Sequence, residues 1–309
     1  MSQFGNTWTH SCFLRLINNG LAPFLSIGYS IITMNSQLFN PSYLKELCVQ
    51  YHLQPSKEYG QNYLLNAAPI LAMVKAGAIE KTDTIVEVGP GFGVLTFALL
   101  EQAGHIIAFE IEKKIFGYWD ALQETHSNLD VRWGNVLREF PVMQHTINGP
   151  YKVIANVPYH ITALLLRLFL EAEHKPERIV IMVQKEVADR MCAKPGDMSL
   201  LSASVQFYGK PKIITKVSKG NFWPQPKVDS AVIAITDIES REDSATFFTL
   251  ARAGFANKRK QLWRNLADAT GIPGPEMQKV LEEVTGDARA RAQELSIDQW
   301  VKLGSILKI

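Results

Sequence analysis

"VEVGPGFGVLT", Val86–Thr96, is an apolar run that ends on a glycine and restarts as a helix. Gly89, Gly91 and Gly93 sit at the join. Glycine lets the backbone approach a ligand closely, and a helix start offers free N–H groups. Taken alone, such a trio also suits a plain tight turn. The next apolar run, "HIIAFEI", carries Glu110, which lies 21 residues after Gly89. In nucleotide-binding sheets an acid at that place accepts both ribose hydroxyls. Val94 stands where a pyrophosphate-binding G-x-G-x-x-G would have its last glycine. The pair of motifs therefore favours an uncharged nucleoside over a pyrophosphate.

On either side of this stretch, β-branched runs alternate with helical spacing. "PSYLKELCVQYHL" (Pro41–Leu53) and "APILAMVKAGAI" (Ala68–Ile79) read as helices, and "EKKIFGYWDALQET" follows the second strand as another. "LDVRWGNV", "YKVIANVPY" and "RIVIMVQ" read as further strands, with the helix "TALLLRLFLEAE" between the last two. That alternation predicts a parallel sheet wrapped by helices, an α/β fold. "PKIITKVS" and "KVDSAVIAIT" follow each other without a long helix and suit an antiparallel edge on the same sheet. After Ile238 only helical periods remain. The expected division is an extension over 1–40, a catalytic domain over 41–238 and a small helical domain over 239–309.

The bulk numbers exclude more than they identify. The chain has 309 residues, 47% of them hydrophobic, enough for a sizeable core. With 32 basic and 30 acidic residues, overall charge says nothing about nucleic acid. Three scattered cysteines have no metal-ligand spacing and fit free thiols in a reducing compartment. No apolar run reaches the length of a membrane span. The first 33 residues hold no acid and one arginine, Arg15, which suits neither a clear signal peptide nor an Arg-rich transit peptide. A disordered extension is expected there, or a start at Met34.

Four further places carry chemistry. Asn135, in "WGNV", could hold an adenine amino group from a strand end, or simply form a turn. "IANVPYHITALLL", Ile154–Leu166, puts Asn156, Pro158 and Tyr159 just beyond a strand, in the crevice where open α/β sheets bind ligands. An amide oxygen, a carbonyl freed by proline and a flat ring suit a planar base with an exocyclic amine. In "NFWPQPKVDSAV", Phe222 and Trp223 precede two stiffening prolines, so Phe222 is expected on the other face of such a base, with a hydrophobic plug as the alternative for Trp223. "RAGFANKRKQLWR" gathers Arg252, Lys258, Arg259, Lys260 and Arg264 within 13 residues without an acid, interleaved with Phe255 and Trp263. Basic residues so placed suit an RNA backbone.

Seven motifs occur in one order: "YGQNYL", "VEVGPGFGVLT", "ANVPYHIT", "VQKEVADRM", "GDMSLLSASVQFYG", "FWPQPKVDSAV" and "AGFANKRKQLWRNL". From about Lys57 to the C-terminus the chain resembles the ribosomal RNA adenine N6-dimethyltransferases, most closely those of the small subunit. The resemblance implies a Rossmann-like S-adenosyl-L-methionine-dependent methyltransferase sheet with a small C-terminal helical domain. It implies cofactor binding by Asn62, Leu64, Gly89, Gly91, Glu110, Asn135 and Asn156, and catalysis around Asn156, Pro158, Tyr159 and Phe222. The substrate would be two adjacent adenosines in a hairpin of small-subunit rRNA, met in a pre-ribosomal small subunit by a cytoplasmic monomer. Three departures stand out: Asn135 where the family usually has Asp, Val157 where it has Leu, and Tyr63 where it has Phe. A large-subunit rRNA methyltransferase, an assembly factor with reduced catalysis and a mitochondrial transcription factor of the same ancestry are the alternatives.

Overall fold

The computed structural model describes residues 36–56, 60–257 and 259–307. The expectation for residues 1–35 and the basic Lys258 lie outside them. The first element is a 3-10 turn over Ser36–Phe39, followed by α1 (Pro41–Gln50). Asn40 caps α1 by accepting the Ser42 N–H at 2.8 Å, and Pro41 supplies a first-turn φ at no hydrogen-bond cost. Leu38 is buried at 5% exposure. The fold thus begins inside the stretch read as an extension: an apolar residue just before an N-cap is drawn into the core with its helix.

Strand β1 (Tyr63–Leu64) leads to α2 (Ala67–Gly77), β2 (Thr84–Val88) and α3 (Val94–Leu100). Next come β3 (His105–Glu110), α4 (Phe116–Thr125), β4 (Leu129–Trp133) and α5 (Val136–Met143). Strand β5 (Tyr151–Asn156) is followed by α6 (Thr162–Leu170), β6 (Arg178–Gln184), α7 (Lys185–Met191) and α8 (Leu200–Tyr208). Strands β7 (Lys210–Val217), β8 (Phe222–Trp223) and β9 (Ser230–Thr236) complete the sheets. Helices α9 (Ser244–Phe255), α10 (Leu262–Thr270), α11 (Gly274–Thr285) and α12 (Ile297–Leu307) close the chain. No helix among the described residues is long and apolar enough to cross a membrane.

Seven strands form one sheet in the order β4-β3-β2-β5-β6-β9-β7. The first five run parallel, and β9 inserts antiparallel between β6 and β7. The expected antiparallel pair is therefore present at the edge. Side chains alternate across the sheet as the pleat requires. Ile85, Ile106, Ile154 and Val180 join α1–α4 on one face, and Val86, Ile107, Val153 and Ile181 join α5–α8 on the other.

The second face does not stop at Ile238. Phe207 on α8 stacks on Phe247 of α9 with ring centroids 3.9 Å apart, and α9–α12 belong to the same apolar cluster as α5–α8. The change of composition at 238 marks the end of strands, and the core runs straight across it. Within the helical segment Gly254 lets α9 approach the Trp300 ring of α12 and the Leu262 side chain. A Cβ there would run into both. Gly254→Ala is expected to cost about 1–3 kcal/mol by overpacking, read as a lower midpoint in denaturant at unchanged slope.

Candidate active site

Strand order reverses between β2 and β5, and ligands bind at such switch points in open α/β sheets. The two strands pair only from Thr84↔Tyr151 to Val86↔Val153. Beyond that they part, leaving Glu87 and Val88 facing the last residues of β5 across a gap. The glycine turn leaves one side of the gap, and "NVPY" leaves the other.

The turn is shaped by left-handed backbone at Gly89 (φ 69°) and Gly93 (φ 88°). A Cβ on Gly89 would meet nothing within 4 Å, so that glycine borders open space. One on Gly93 would strike Phe97 and Trp119, so packing as well as φ requires glycine there. From α4, Trp119 Nε1 donates to the Gly91 carbonyl at 3.0 Å, and the Tyr118 hydroxyl donates to the Phe92 carbonyl at 2.9 Å. The loop is rigid because a helix holds its carbonyls.

Glu110 closes the turn from below. Its Oε1 accepts the N–H groups of Ile111 and Glu112, each at 2.8 Å, and Oε2 accepts that of Gly91 at 3.1 Å. Burial raises its pKa, and these three backbone donors oppose the rise. Three of about four lone-pair directions are used, so one remains, on Oε2. One hydroxyl donor could use it directly, and a second would have to replace the longer Gly91 bond.

Glu87 was missed by sequence reasoning because it sits inside an apolar strand and reads as part of it. It is 1% exposed and its Oε2 has no partner. Burial pushes its carboxyl up to about 8, the Glu110 charge adds to the rise, and the neighbouring Thr96 hydroxyl, itself without a hydrogen-bond partner among the described residues, opposes it. A buried carboxyl with an unpartnered oxygen and a raised pKa, at the wall of a cleft, marks a candidate functional group. The cleft itself is lined by Leu38, Gln61, Asn62, Leu64, Glu87, Gly89, Gly91, Glu110, Ile111, Asn156 and Pro158. Asn62 donates from Nδ2 to the Gly60 carbonyl at 3.1 Å, which keeps its side-chain oxygen available. Leu64 is buried beneath the cleft.

Asn135 is used differently from the expectation. Its Oδ1 accepts the Leu137 N–H at 3.0 Å and caps α5. Gly134 donates to the Glu110 carbonyl at 2.8 Å, which brings this turn beside the cleft, yet Asn135 does not line it. One lone pair of Oδ1 is committed to the helix and one is left.

At the end of β5, Asn156 is half-buried and its amide has no hydrogen-bond partner among the described residues. The Pro158 carbonyl accepts the Ile161 N–H at 3.2 Å, leaving one lone pair. Tyr159 is half-buried, and its hydroxyl shares a 2.6 Å hydrogen bond with Ser230 Oγ at the start of β9. Burial raises the phenol's pKa and the Ser230 bond opposes it. On the far side of Gly60–Asn62 lies a second cavity of about 460 Å³, lined by Tyr159, His160, Gln184 and Pro224–Lys227. Asn156 and Pro158 face the first space and Tyr159 the second.

Phe222 does not present a free ring. It is 3% exposed, its strand pairs with β1 in the register Leu64↔Phe222, and it packs in the core. Two-residue strands this far apart in sequence carry no periodic signal, so the pairing that buries Phe222 was not readable. Trp223 stacks on Tyr63 at 6.1 Å with Lys45 over its ring, so it serves as the plug. The prolines after it, not the aromatics, wall the second cavity.

Of the basic stretch, Arg252, Arg259, Lys260 and Arg264 are exposed. Lys260 reaches Asp268 at 3.5 Å, and Arg264 lies over the Trp263 ring at 5.0 Å. Phe255 points inward, 8% exposed and against Trp300, because it falls on the core face of α9. Asn265, unremarked in the sequence, is buried and donates to the Gly254 and Asn257 carbonyls, pinning the turn that displays these bases.

The fold has a solved likeness in a dimethyladenosine transferase from Plasmodium falciparum, with TM-score 0.64 and 25% identity over 78% of this chain and 95% of that one. The 23S rRNA methyltransferase ErmE matches in fold with TM-score 0.64 at 21% identity, over 80% of this chain and all of that one. In sequence, the Ribosomal RNA small subunit methyltransferase A of Dehalococcoides mccartyi (strain ATCC BAA-2100 / JCM 16839 / KCTC 5957 / BAV1) is 42% identical over 266 residues, 84% of this chain and 90% of its own length. The protein of that name from Lactiplantibacillus plantarum is 33% identical over 90% of this chain and 98% of its own. The family model described as Ribosomal RNA adenine dimethylase matches residues 53–308, and with that span and these identities the chain belongs to the ribosomal RNA adenine dimethylase family.

Proposed function

We propose that this protein transfers methyl groups from S-adenosyl-L-methionine to N6 of two adjacent adenosines in a hairpin of small-subunit rRNA. The observation that carries the reading is the unpartnered Asn156 amide at the strand end, in the cleft beside the glycine turn, with the Tyr159 cavity on the far side of Gly60–Asn62. Relatives named for the small subunit favour that target over the large one, and the ErmE likeness speaks only to fold. The enzyme acts as a cytoplasmic monomer on a pre-ribosomal small subunit.

The chemistry of the cleft's lining suits the cofactor. Gly89 borders open space, Glu110 keeps an acceptor free, and the orphaned Glu87 oxygen offers a charge to the cationic amino-acid end. Asn62, Leu64, Gly91 and Asn156 complete the wall; Asn135 stands outside it, beside the Gly134 turn, with one lone pair uncommitted. When bound, the cofactor supplies an electrophilic methyl group.

The protein's own residues make the adenine a nucleophile. The N6 lone pair is delocalised into the ring, so the base has to leave its stack to be reached. Asn156 Oδ1 and the second lone pair of the Pro158 carbonyl each accept one N6–H. Two acceptors out of the ring plane favour a pyramidal nitrogen with a localised lone pair. Tyr159 stacks on the base, worth about 1–3 kcal/mol, and its bond to Ser230 fixes the ring. After transfer the nitrogen is cationic and releases its proton to water, so orientation supplies most of the rate.

Labelled methyl transfer to purified, unmodified small subunits, followed by mapping of the modified bases, tests the reading. Two adjacent dimethyladenosines are expected, and label confined to large-subunit rRNA would overturn it. Asn156→Ala is expected to lower single-turnover methyl transfer by about a hundredfold or more while small-subunit binding stays within twofold. Equal rates would remove Asn156 from the chemistry.

Glu87 gives a pH test. Its carboxyl is largely neutral at pH 7 in the free protein, and a bound ammonium group favours the ionised form. Binding therefore releases a proton, and affinity for S-adenosylhomocysteine rises from pH 6 toward about 8, by at most about tenfold per unit. Glu87→Gln is expected to flatten that profile in calorimetry. Charge reversal at Arg259 and Lys260 is expected to weaken small-subunit binding and to lower the log–log salt slope by about 0.7–0.9 for each phosphate that is no longer neutralised.

A further inference from the structure

A third cavity, of about 330 Å³, opens between α6, α8 and α9. Its floor is apolar, built from Leu166, Leu170, Leu201 and Val205, and one side is bordered by Tyr208 and Phe248, both largely buried, with Lys175 over the Tyr208 ring at 4.8 Å. Arg167, Arg190 and Arg252 stand around it, with Glu171 the one acid in the lining. Glu171 is already bound to Arg167 at 2.8 Å, and Arg252 lies over the Phe248 ring at 5.6 Å. Arg190 is exposed and has no partner among the described residues. The balance is positive, around a space for something flat and apolar.

The cavity shares two elements with the Tyr159 cavity. His160 lines the Tyr159 cavity and Ala163, about one turn further along the chain, lines this one. Gln184 at the start of α7 lines the first, and Arg190 near its end lines the second. A helix of that length sets the separation at on the order of 10 Å. An occupant of both is a chain with a planar group at each end of that span and negative charge between.

We propose that the α6–α8–α9 cavity is a second nucleotide subsite, which takes an unpaired base of the same rRNA strand a nucleotide or two from the adenosine at Tyr159. Its phosphate meets Arg190 and Arg252, and its base lies on the apolar floor against Tyr208 and Phe248. Guanidinium groups recognise phosphate, and aromatic and apolar faces hold a base of any identity. The inference rests on the proposed RNA substrate and deepens it: a strand anchored here presents the two adenosines in a fixed order to one Asn156. An acidic, apolar protein segment is the rival occupant.

A photoreactive benzophenone side chain placed at Leu201 separates them. With unmodified small subunits, a cross-link to an rRNA nucleotide next to the modified adenosines is expected. A cross-link to ribosomal protein alone, or none, overturns the proposal. In parallel, Arg190→Ala is expected to raise KM for small subunits with kcat unchanged, and to lower the salt slope by about 0.7–0.9. Unchanged KM and slope also overturn it. Arg190 is exposed, and unaltered S-adenosylhomocysteine binding confirms an intact fold. Labelled methyl transfer by the unsubstituted protein is read on the same small subunits: transfer without the cross-link is failure of the subsite, and absence of both is failure of the assigned target.

Discussion

The site depends on where two neighbouring strands stop pairing. Strands β2 and β5 hold together for three residues and then part. Their helices leave to opposite faces of the sheet, as the reversal of strand order demands. The gap is therefore a product of topology, and no side chain has to hold it open. What side chains add is chemistry at its walls: an orphaned carboxyl on one strand and a free amide on the other, beside a turn whose first glycine, Gly89, borders open space.

Rigidity around the gap comes from hydrogen bonds made away from it. The carbonyls of Gly91 and Phe92 are held from α4, and Glu110 gathers three backbone donors. Tyr159 is tied to β9, the antiparallel strand, through Ser230. The glycine turn and the Tyr159 ring are thus fixed by partners that lie outside the gap. Asn156 differs, because its amide keeps all its capacity for the ligand.

Much of this was legible because strands and turns have local signatures. β-branched runs fixed all the strands of the parallel half, and the short connection from β7 to β9 gave the antiparallel pair. Gly89, Gly91 and Glu110 were readable because their spacing follows from the geometry of one strand–turn–strand unit. The errors have a common cause, which is packing between residues far apart in sequence. Phe222 is buried by Leu64, Phe255 by Trp300, and Leu38 by the core beneath α1. Asn135 was half-read, since a strand-end Asn before a helix caps as readily as it recognises. Glu87 went unseen because a lone acid in an apolar strand changes no periodicity, and only its burial marks it.

The stack of Phe207 on Phe247 joins the helical segment to the sheet through one uninterrupted apolar cluster. A segment held in this way cannot be exchanged between relatives as a self-contained cassette. A graft cut at residue 238 would inherit a floor of aromatic rings shaped for a different lid. Any recombination that aims to redirect the enzyme would have to carry α8 together with the helices that rest on it.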